Sequence, residues 1–308
     1  MQYAEPVMSL AQADCVLPLF IPNTDYVYVY GKFDFYSIMH WLSNGTQPNG
    51  MIVRLQGFDR GIFGGNFHTH NMLNIFVPGV DVVCFSNGAD YVRGVRYVHK
   101  QVKESKRMVV LVDSTDLLNK RHLDENKKDE RMLSIYPEEE GGYDFDQVIV
   151  YLPTPTSPSS SPRKQIVIVT YGNGVPTSLQ AQQTLTTLYP THDVVVIDTP
   201  YLSSAPADLL TYLTTHASDI DSVVLADVCK AMPGMPLAKM AVDLHNQGLL
   251  GGKGGASSKG KGKGKSKSGS GENMQWRVVG AAPTYNPLGS YVTFLSVDDI
   301  VSAVKSMM

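Results

Sequence analysis

The sequence has little cysteine, with only Cys15, Cys84 and Cys229 in 308 residues. The three are far apart, odd in number and without the spacing of metal ligands. A scaffold held together by disulfides is therefore excluded. The cysteine usage is typical of a reducing compartment.

Long apolar runs are also missing, and no stretch approaches the length of a membrane span. The first residues, MQYAEPVMSLAQAD, have neither the pattern of a secretory signal nor that of an arginine-rich transit peptide. We therefore expect neither export nor a membrane partner. A composition of 43% hydrophobic and 18% charged residues is typical of a globular protein, and the length allows two domains.

The net charge of −3 hides a segregation of charge. Residues 251–273 hold six lysines and one glutamate among Gly and Ser, which leaves 20 basic and 28 acidic residues elsewhere. This insert has no apolar side chains to support ordering, so it is predicted to be a disordered surface loop. A polybasic contact with nucleic acid or an acidic partner is the alternative, but the insert lacks the interleaved aromatics that would favour nucleic acid.

A cluster of Pro and Ser at 154–164 is predicted to link two domains, 1–153 and 165–308. In the second half, runs rich in Val and Ile are typical of strands buried on both faces, and the segments between them have helical spacing. These runs are 166–172, 194–200, 222–228 and 276–282. Their alternation with helices predicts an open, mainly parallel sheet with helices on both faces.

The first half carries the same signals less regularly. Strands are predicted at 51–55, 80–86 and 108–114, with a helix over 88–105, and 26–30 alternates like a strand. The charged, irregular stretch 119–146 is predicted to be a surface excursion. The predicted fold class is therefore α/β, with two open, mainly parallel sheets and helices on both faces.

Residues 64–95 are similar to the beta-subunit signature of pyruvate and branched-chain 2-oxoacid dehydrogenases. The matching parts, in order, are Gly64-Gly65, His68-Thr69-His70, Pro78-Gly79, Val82-Val83 and Asp90. Upstream, PVMSLAQADCVLPLF (6–20) resembles the same family. The second half resembles a transketolase C-terminal domain at Thr170-Tyr171-Gly172, Val196-Ile197-Asp198 and Pro206-Ala207-Asp208.

This resemblance implies a fold, a cofactor and partners. The first half would be a partial transketolase-like pyrimidine-binding domain. The chain would join an alpha subunit in an α2β2 tetramer, in which the alpha subunit holds thiamine diphosphate through Mg²⁺ and the beta subunit holds the aminopyrimidine. The implied reaction is oxidative decarboxylation of pyruvate or a branched-chain 2-oxoacid, with acyl transfer to lipoamide on the lipoyl acyltransferase core. The implied location is the mitochondrial matrix, or a plastid.

The resemblance places His68 at the catalytic histidine that faces substrate and intermediates. An imidazole suits this role because its ordinary pKa near ~6.5 allows proton transfer in both directions at neutral pH. The alternative is a histidine that only caps or fills the turn. His70 stands where the family has Gln, and the His-x-His pair lacks a third ligand nearby, so no metal site is expected.

Two departures from the family bear on activity. Cys15 stands where the family stacks an aromatic ring on the pyrimidine of the cofactor, so this cofactor-binding position is expected to be impaired. The family's activating glutamate would lie upstream of Met1. Further along, Asp227 and MPGMP replace Glu-Gly-Gly, and Gly280-Ala281-Ala282 replaces Gly-x-Asp.

Three functions stay open at this point. The chain is either a beta-subunit-like component of a 2-oxoacid dehydrogenase or a non-catalytic paralogue that keeps the docking surfaces of the subunit as a structural or regulatory partner. A transketolase-related enzyme of sugar chemistry is the third possibility. No residue identifies the 2-oxoacid, because the shape of a pocket shared between subunits sets the specificity.

Overall fold

The structure is a computed structural model. It describes residues 18–20, 42–44, 46, 50–57, 78–118, 120–138, 142–153, 163–230, 232–251, 274–282 and 294–308. Within these residues the chain forms two separate sheets, one of four strands and one of five. No helix among these residues is long and apolar enough to cross a membrane.

The first sheet contains β1 (Pro18–Phe20), β2 (Met51–Gly57), β3 (Val80–Val83) and β4 (Met108–Ser114) in the order β1-β2-β4-β3. All its neighbours are parallel. Every residue of β3 and β4 is buried, as the Val-rich runs predict for strands covered on both faces.

Helix α1 (Gly88–Ser105) connects β3 to β4. The side chain of Asn87 caps its first turn by accepting a hydrogen bond from the backbone N–H of Asp90, and it ends at Lys106 in the left-handed region. A side chain at Gly94 would overlap the ring of Phe85. The helix therefore lies against Phe85 through a position that only glycine fits.

The second sheet has the order β5-β7-β6-β8-β9. Its strands are β5 (Ile149–Tyr151), β6 (Lys164–Thr170), β7 (His192–Asp198), β8 (Ile220–Lys230) and β9 (Gln275–Ala281). Its helices are α2 (Gly174–Leu188), α3 (Ala207–Thr215), α4 (Pro236–Asn246) and α5 (Val297–Lys305). The strands are parallel except β5, which runs antiparallel to β7.

Alternate residues of these strands face opposite layers of helices. Val167 and Val169 of β6 pack in one cluster with side chains of α3 and α4. Ile166 and Ile168 of the same strand pack in a second cluster with side chains of α2 and α5. The strands are apolar throughout because each face meets a helix layer.

The cluster that contains α3 and α4 continues into the first sheet. It includes Val53 of β2, Val82 of β3 and Val110 of β4, together with Leu202, which follows β7. The two sheets therefore share one apolar core.

The stretch 119–146, predicted to be a surface excursion, contains no helix or strand in its described residues. Much of it is exposed, and Ile135 keeps 92% of its surface open. However, Leu123, Tyr143 and Phe145 are buried in the cores. The prediction was wrong for these three residues, because irregular backbone here still carries core side chains.

The domain boundaries stay a prediction. β5 lies inside the predicted first domain, 1–153, yet it pairs with β7 of the second sheet. Most of the predicted linker and of the Lys/Gly/Ser insert lies outside the described residues, as does the strand predicted at 26–30.

Candidate functional site at the junction of the two sheets

The two residues singled out by the sequence, His68 and Cys15, lie outside the described residues, and so does His70. Their predicted roles therefore stay predictions. The later part of the same motif is described, with Val82-Val83 in β3 and Asp90 in the first turn of α1.

A short segment that follows β7 pairs with the outer edge of β3. Val83 and Tyr201 form an antiparallel bridge. The N–H of Cys84 donates to the carbonyl of Pro200 at 2.9 Å, and the N–H of Leu202 donates to the carbonyl of Val82 at 2.9 Å. Residues 200–203, which we name the edge segment, thus act as a further strand on the first sheet.

The side chain of Ser203 extends this pairing by one step. Its hydroxyl accepts from the N–H of Val82 at 2.8 Å and donates to the carbonyl of Val80 at 3.1 Å. The carbonyl of Ser203 in turn accepts from the Lys239 ammonium at 2.7 Å. The edge segment is therefore bound to both β3 and α4.

The region where the edge segment meets β3 and the start of α1 is named the junction. Asp81 of β3 lies on its more exposed side. It accepts two hydrogen bonds from the Arg107 guanidinium, at 2.5 and 2.6 Å, and one from the Tyr201 hydroxyl at 2.7 Å. Arg107 lies 5.4 Å above the Phe145 ring, which stacks on Tyr201 at 4.7 Å. The hydrogen bond to Asp81 raises the pKa of Arg107, so this guanidinium stays charged across ordinary pH.

Asp198, the last residue of β7, lies on the buried side of the junction and has no exposed surface. One of its oxygens, Oδ2, accepts a hydrogen bond from the Ser86 hydroxyl across the junction. Among the described residues Asp198 forms no ion pair, and Oδ1 has no partner there. Burial, against the hydrogen bond from Ser86 and with a smaller contribution from the Asp90 charge, raises the pKa of Asp198 to about 8.

Two tyrosines lie within electrostatic range of the same carboxyl group. Burial, followed by the Asp198 charge, raises the pKa of both Tyr143 and Tyr151, while hydrogen bonds with the side chains of Asn87 and Ser86 act to lower that of Tyr151. The environment therefore favours Asp198 as a neutral carboxylic acid at pH 7.

Asp227 in β8 is equally buried but has more hydrogen-bond donors. It accepts from the Tyr171 hydroxyl at 2.7 Å and from the N–H groups of Cys229 and Leu237 at 2.9 Å each. Burial raises its pKa to about 6, against these donors. Because Leu237 is in the first turn of α4, Asp227 holds the start of that helix.

The two described cysteines, Cys84 and Cys229, are buried. Gly172, with φ of +52°, lets its backbone approach Cys84, since an added side chain there would meet the sulfur at 2.9 Å. Burial, followed by the Asp198 charge, raises the pKa of Cys84, so this thiol is protonated and packed.

Asp113, near the end of β4, is occupied by protein groups. Arg54 donates to its Oδ2 at 3.1 and 2.5 Å, and the Tyr91 hydroxyl donates to Oδ1 at 3.2 Å. In the part of the chain that the structure describes, no group of three or more His, Cys, Asp or Glu side chains is placed to hold a metal ion.

From the sequence, Asp198 was named only as part of a family motif, and neither its contact with Ser86 nor the Asp81–Arg107 pair was predicted. The sequence does contain one signal for Asp198, which is its position at the end of the apolar run VVVI. A carboxyl group buried there must be hydrogen-bonded, paired with a cation or protonated. The partner itself lies more than a hundred residues away, so the sequence does not identify it.

No protein-family model matches the chain, and no curated protein matches it. Solved structures do match. A split-gene transketolase described as an inactive beta4 tetramer is 12% identical with a TM-score of 0.54, over 93% of this chain and 81% of that one. A transketolase mutant from Pichia stipitis, in complex with xylulose-5-phosphate, is 11% identical with a TM-score of 0.51, over 94% of this chain.

The chain spans about a third of the Pichia stipitis protein, 33% of its length. Likeness at this level of identity shows the fold alone. The fold is transketolase-like, and the predicted class, α/β with two open, mainly parallel sheets, is confirmed.

Proposed function

We propose that this chain is a beta-subunit-like component of a thiamine-diphosphate-dependent 2-oxoacid dehydrogenase that works with an alpha subunit. The reaction would be oxidative decarboxylation of pyruvate or a branched-chain 2-oxoacid, with acyl transfer to lipoamide. The observation that carries the proposal is the run of motifs from 64 to 95, whose described part forms β3 and the start of α1 in a transketolase-like fold.

A partner chain is part of the proposal by resemblance. The chain matches most of a chain from a split transketolase whose beta4 tetramer is named as inactive. That likeness supports a chain that works with a different subunit. The mitochondrial matrix or a plastid is the proposed location.

Among the described residues no group of His, Cys, Asp and Glu side chains is placed to hold Mg²⁺. In line with the family resemblance, we assign Mg²⁺ and the diphosphate to the alpha subunit. When bound, thiamine diphosphate supplies carbanion stabilisation at the substrate's 2-carbon. The contribution of this chain would be to position the aminopyrimidine near Cys15 and to hold or release a proton at the His68 imidazole.

The test is co-expression of the full chain with the alpha subunit of a 2-oxoacid dehydrogenase and a lipoyl domain. We expect release of CO₂ from pyruvate or 3-methyl-2-oxobutanoate, with acylation of the lipoyl domain. His68→Ala should lower kcat by about 10²- to 10⁴-fold, the usual contribution of a general acid or base. His99→Ala, an exposed position on α1, is the matched control and should keep full activity.

Ketol transfer from xylulose-5-phosphate without decarboxylation would contradict the proposal and favour a transketolase. A complex with the alpha subunit in which His68→Ala and His99→Ala behave alike would contradict the assignment of His68.

The second candidate is a non-catalytic paralogue that docks on the alpha subunit as a structural or regulatory partner. Two observations favour it. Cys15 gives a pyrimidine ring no aromatic surface. The carboxylate of Asp227, at the position where the family has glutamate, accepts hydrogen bonds from Tyr171, Cys229 and Leu237 of the same chain. This candidate predicts a stable complex that neither binds the cofactor nor decarboxylates.

A further inference from the structure

Asp198 lies where the two sheets meet, two residues before the edge segment. The groups that face it come from four elements. They are Cys84 and Ser86 after β3, Asp90 in α1, Tyr143 in the stretch before β5, and Tyr151 in β5.

These neighbours suit a neutral Asp198 and oppose a charged one. Tyr143 and Cys84 are buried, Tyr151 is partly buried, and all three keep their protons, while Asp90 is acidic. The cations at the junction already have partners: Arg93 pairs with Asp90, Arg107 pairs with Asp81, and Lys239 donates to the Ser203 carbonyl. A charge on Asp198 would therefore have one hydroxyl donor, Ser86, and no counter-ion among the described residues.

We propose that the contact between Asp198 and Ser86 is a pH-sensitive latch, which holds the edge segment on β3 while Asp198 is protonated and releases it when the proton is lost. Release gives the carboxylate access to water. It breaks the two backbone hydrogen bonds of the bridge and those of Ser203, and it leaves β3 paired with β4 on its other side. Release also costs the burial of Leu202 and the contacts of Tyr201 with Asp81 and Phe145, while β2, β4, β6 and β8 stay packed against one another.

The direction of the pH dependence follows from linkage. The pKa of Asp198 is about 8 in the closed junction and near the ordinary value, about 4, once the junction is open. The stabilisation is complete below about pH 4 and is lost as the pH rises through about 8. Across that window the equilibrium constant for opening should increase by up to about tenfold per pH unit and level off above it.

Amide hydrogen exchange on the full chain tests the latch, with the amides of Cys84 and Leu202 as reporters because both donate across the junction. Protection factors, corrected for intrinsic exchange, are compared from pH 5 to pH 9. We expect protection at both reporters to fall as the pH rises and then to level off. We call this pH-dependent fall in protection the step. Amides of the central strands β4 and β6 should show no step.

Asp198→Asn should abolish the step, because the amide cannot ionise. Asp193→Asn is the matched control on the same strand, since Asp193 is half-exposed and paired with Arg163, and it should keep the wild-type profile. If Asp198→Asn does not fold, Ser86→Ala serves instead. It keeps the carboxyl but removes the donor to its charged form, so the step should move to higher pH with weaker protection throughout.

Two results would overturn the proposal. In one, the wild type and the Asp198→Asn or Ser86→Ala variant share one pH profile at the reporters. In the other, β4 and β6 lose protection together with the reporters, which would mean global unfolding rather than release of the edge segment.

Discussion

At the scale of single residues, three aspartates near the ends of apolar strands show how surroundings set the charge of a buried carboxyl group. Asp113 has a guanidinium, from Arg54. Asp227 has a hydroxyl and the N–H groups that begin α4. Asp198 has one hydroxyl donor, and its pKa of about 8 lies above that of Asp227, which is about 6. Fewer donors leave the cost of burial less offset.

Asp227→Asn should lower the free energy of unfolding by about 2–3 kcal/mol at pH 8, because an amide group would face backbone N–H donors that now bind carboxylate oxygen. The raised pKa of about 6 means that the wild type gains stability as the pH falls through 6 toward 4, so the cost of the substitution should be larger at pH 5. Urea unfolding at the two pH values measures both effects.

Asp243→Asn on the exposed side of α4 is the control for this substitution. The Asp243 side chain pairs with Lys239 at 3.5 Å, and this exposed ion pair should contribute less than about 1 kcal/mol. An equal cost for both substitutions, or a cost of Asp227→Asn that grows with pH, would contradict the role assigned to Asp227.

At the scale of elements, α1 connects the motif 64–95 to the junction. Its start is fixed by the Asn87 cap, and its packing depends on the contact of Gly94 with Phe85. The loop that carries Ser86 lies between β3 and this cap. Movement of α1 would therefore move the Ser86 hydroxyl relative to Asp198.

Gly94→Ala should destabilise the protein by about 1–3 kcal/mol, even though alanine favours a helix by about 1 kcal/mol over glycine. The reason is that the new methyl group would overlap the Phe85 ring. Thermal unfolding measures the change. Gly142→Ala, where no atom lies within 4 Å, is the control, and the double substitution with Phe85→Leu should recover part of the loss. A stabilised Gly94→Ala protein would show that this packing is wrong.

The sequence predicts the elements well where one physical pattern dominates. Helix 88–105 and the strand at 108–114 have the predicted bounds, because periodicity and continuous burial determine them locally. The edge segment and the burial of Tyr143 and Phe145 were not predictable, since both depend on contacts made by distant parts of the chain. For the same reason, the sequence shows that three aspartates lie near strand ends. It does not show which one pairs with a cation, which one binds the start of a helix and which one accepts from a single hydroxyl.

At the scale of the whole molecule, the shared apolar core predicts that the two sheets unfold together. Val53 and Val110 of the first sheet belong to the same cluster as Val167 and Val223 of the second. If one sheet unfolds, the apolar face of the other sheet that packs on it becomes exposed to water. Neither sheet can therefore keep this face buried on its own. Pulsed hydrogen exchange across a urea series should give one midpoint for β2, β4, β6 and β8. Loss of β2 and β4 at a lower urea concentration would show that the sheets are independent.

The proposed function also concerns the whole molecule, because a cofactor site shared between chains exists only in the assembly. The most direct measurement is calorimetric titration of thiamine diphosphate, with Mg²⁺ present, into this chain alone, into an alpha subunit alone and into their mixture. We expect saturable binding at one cofactor per alpha–beta pair in the mixture, tighter than for either chain alone. A stable complex that binds no thiamine diphosphate, or a mixture that forms no complex, would contradict the proposed function.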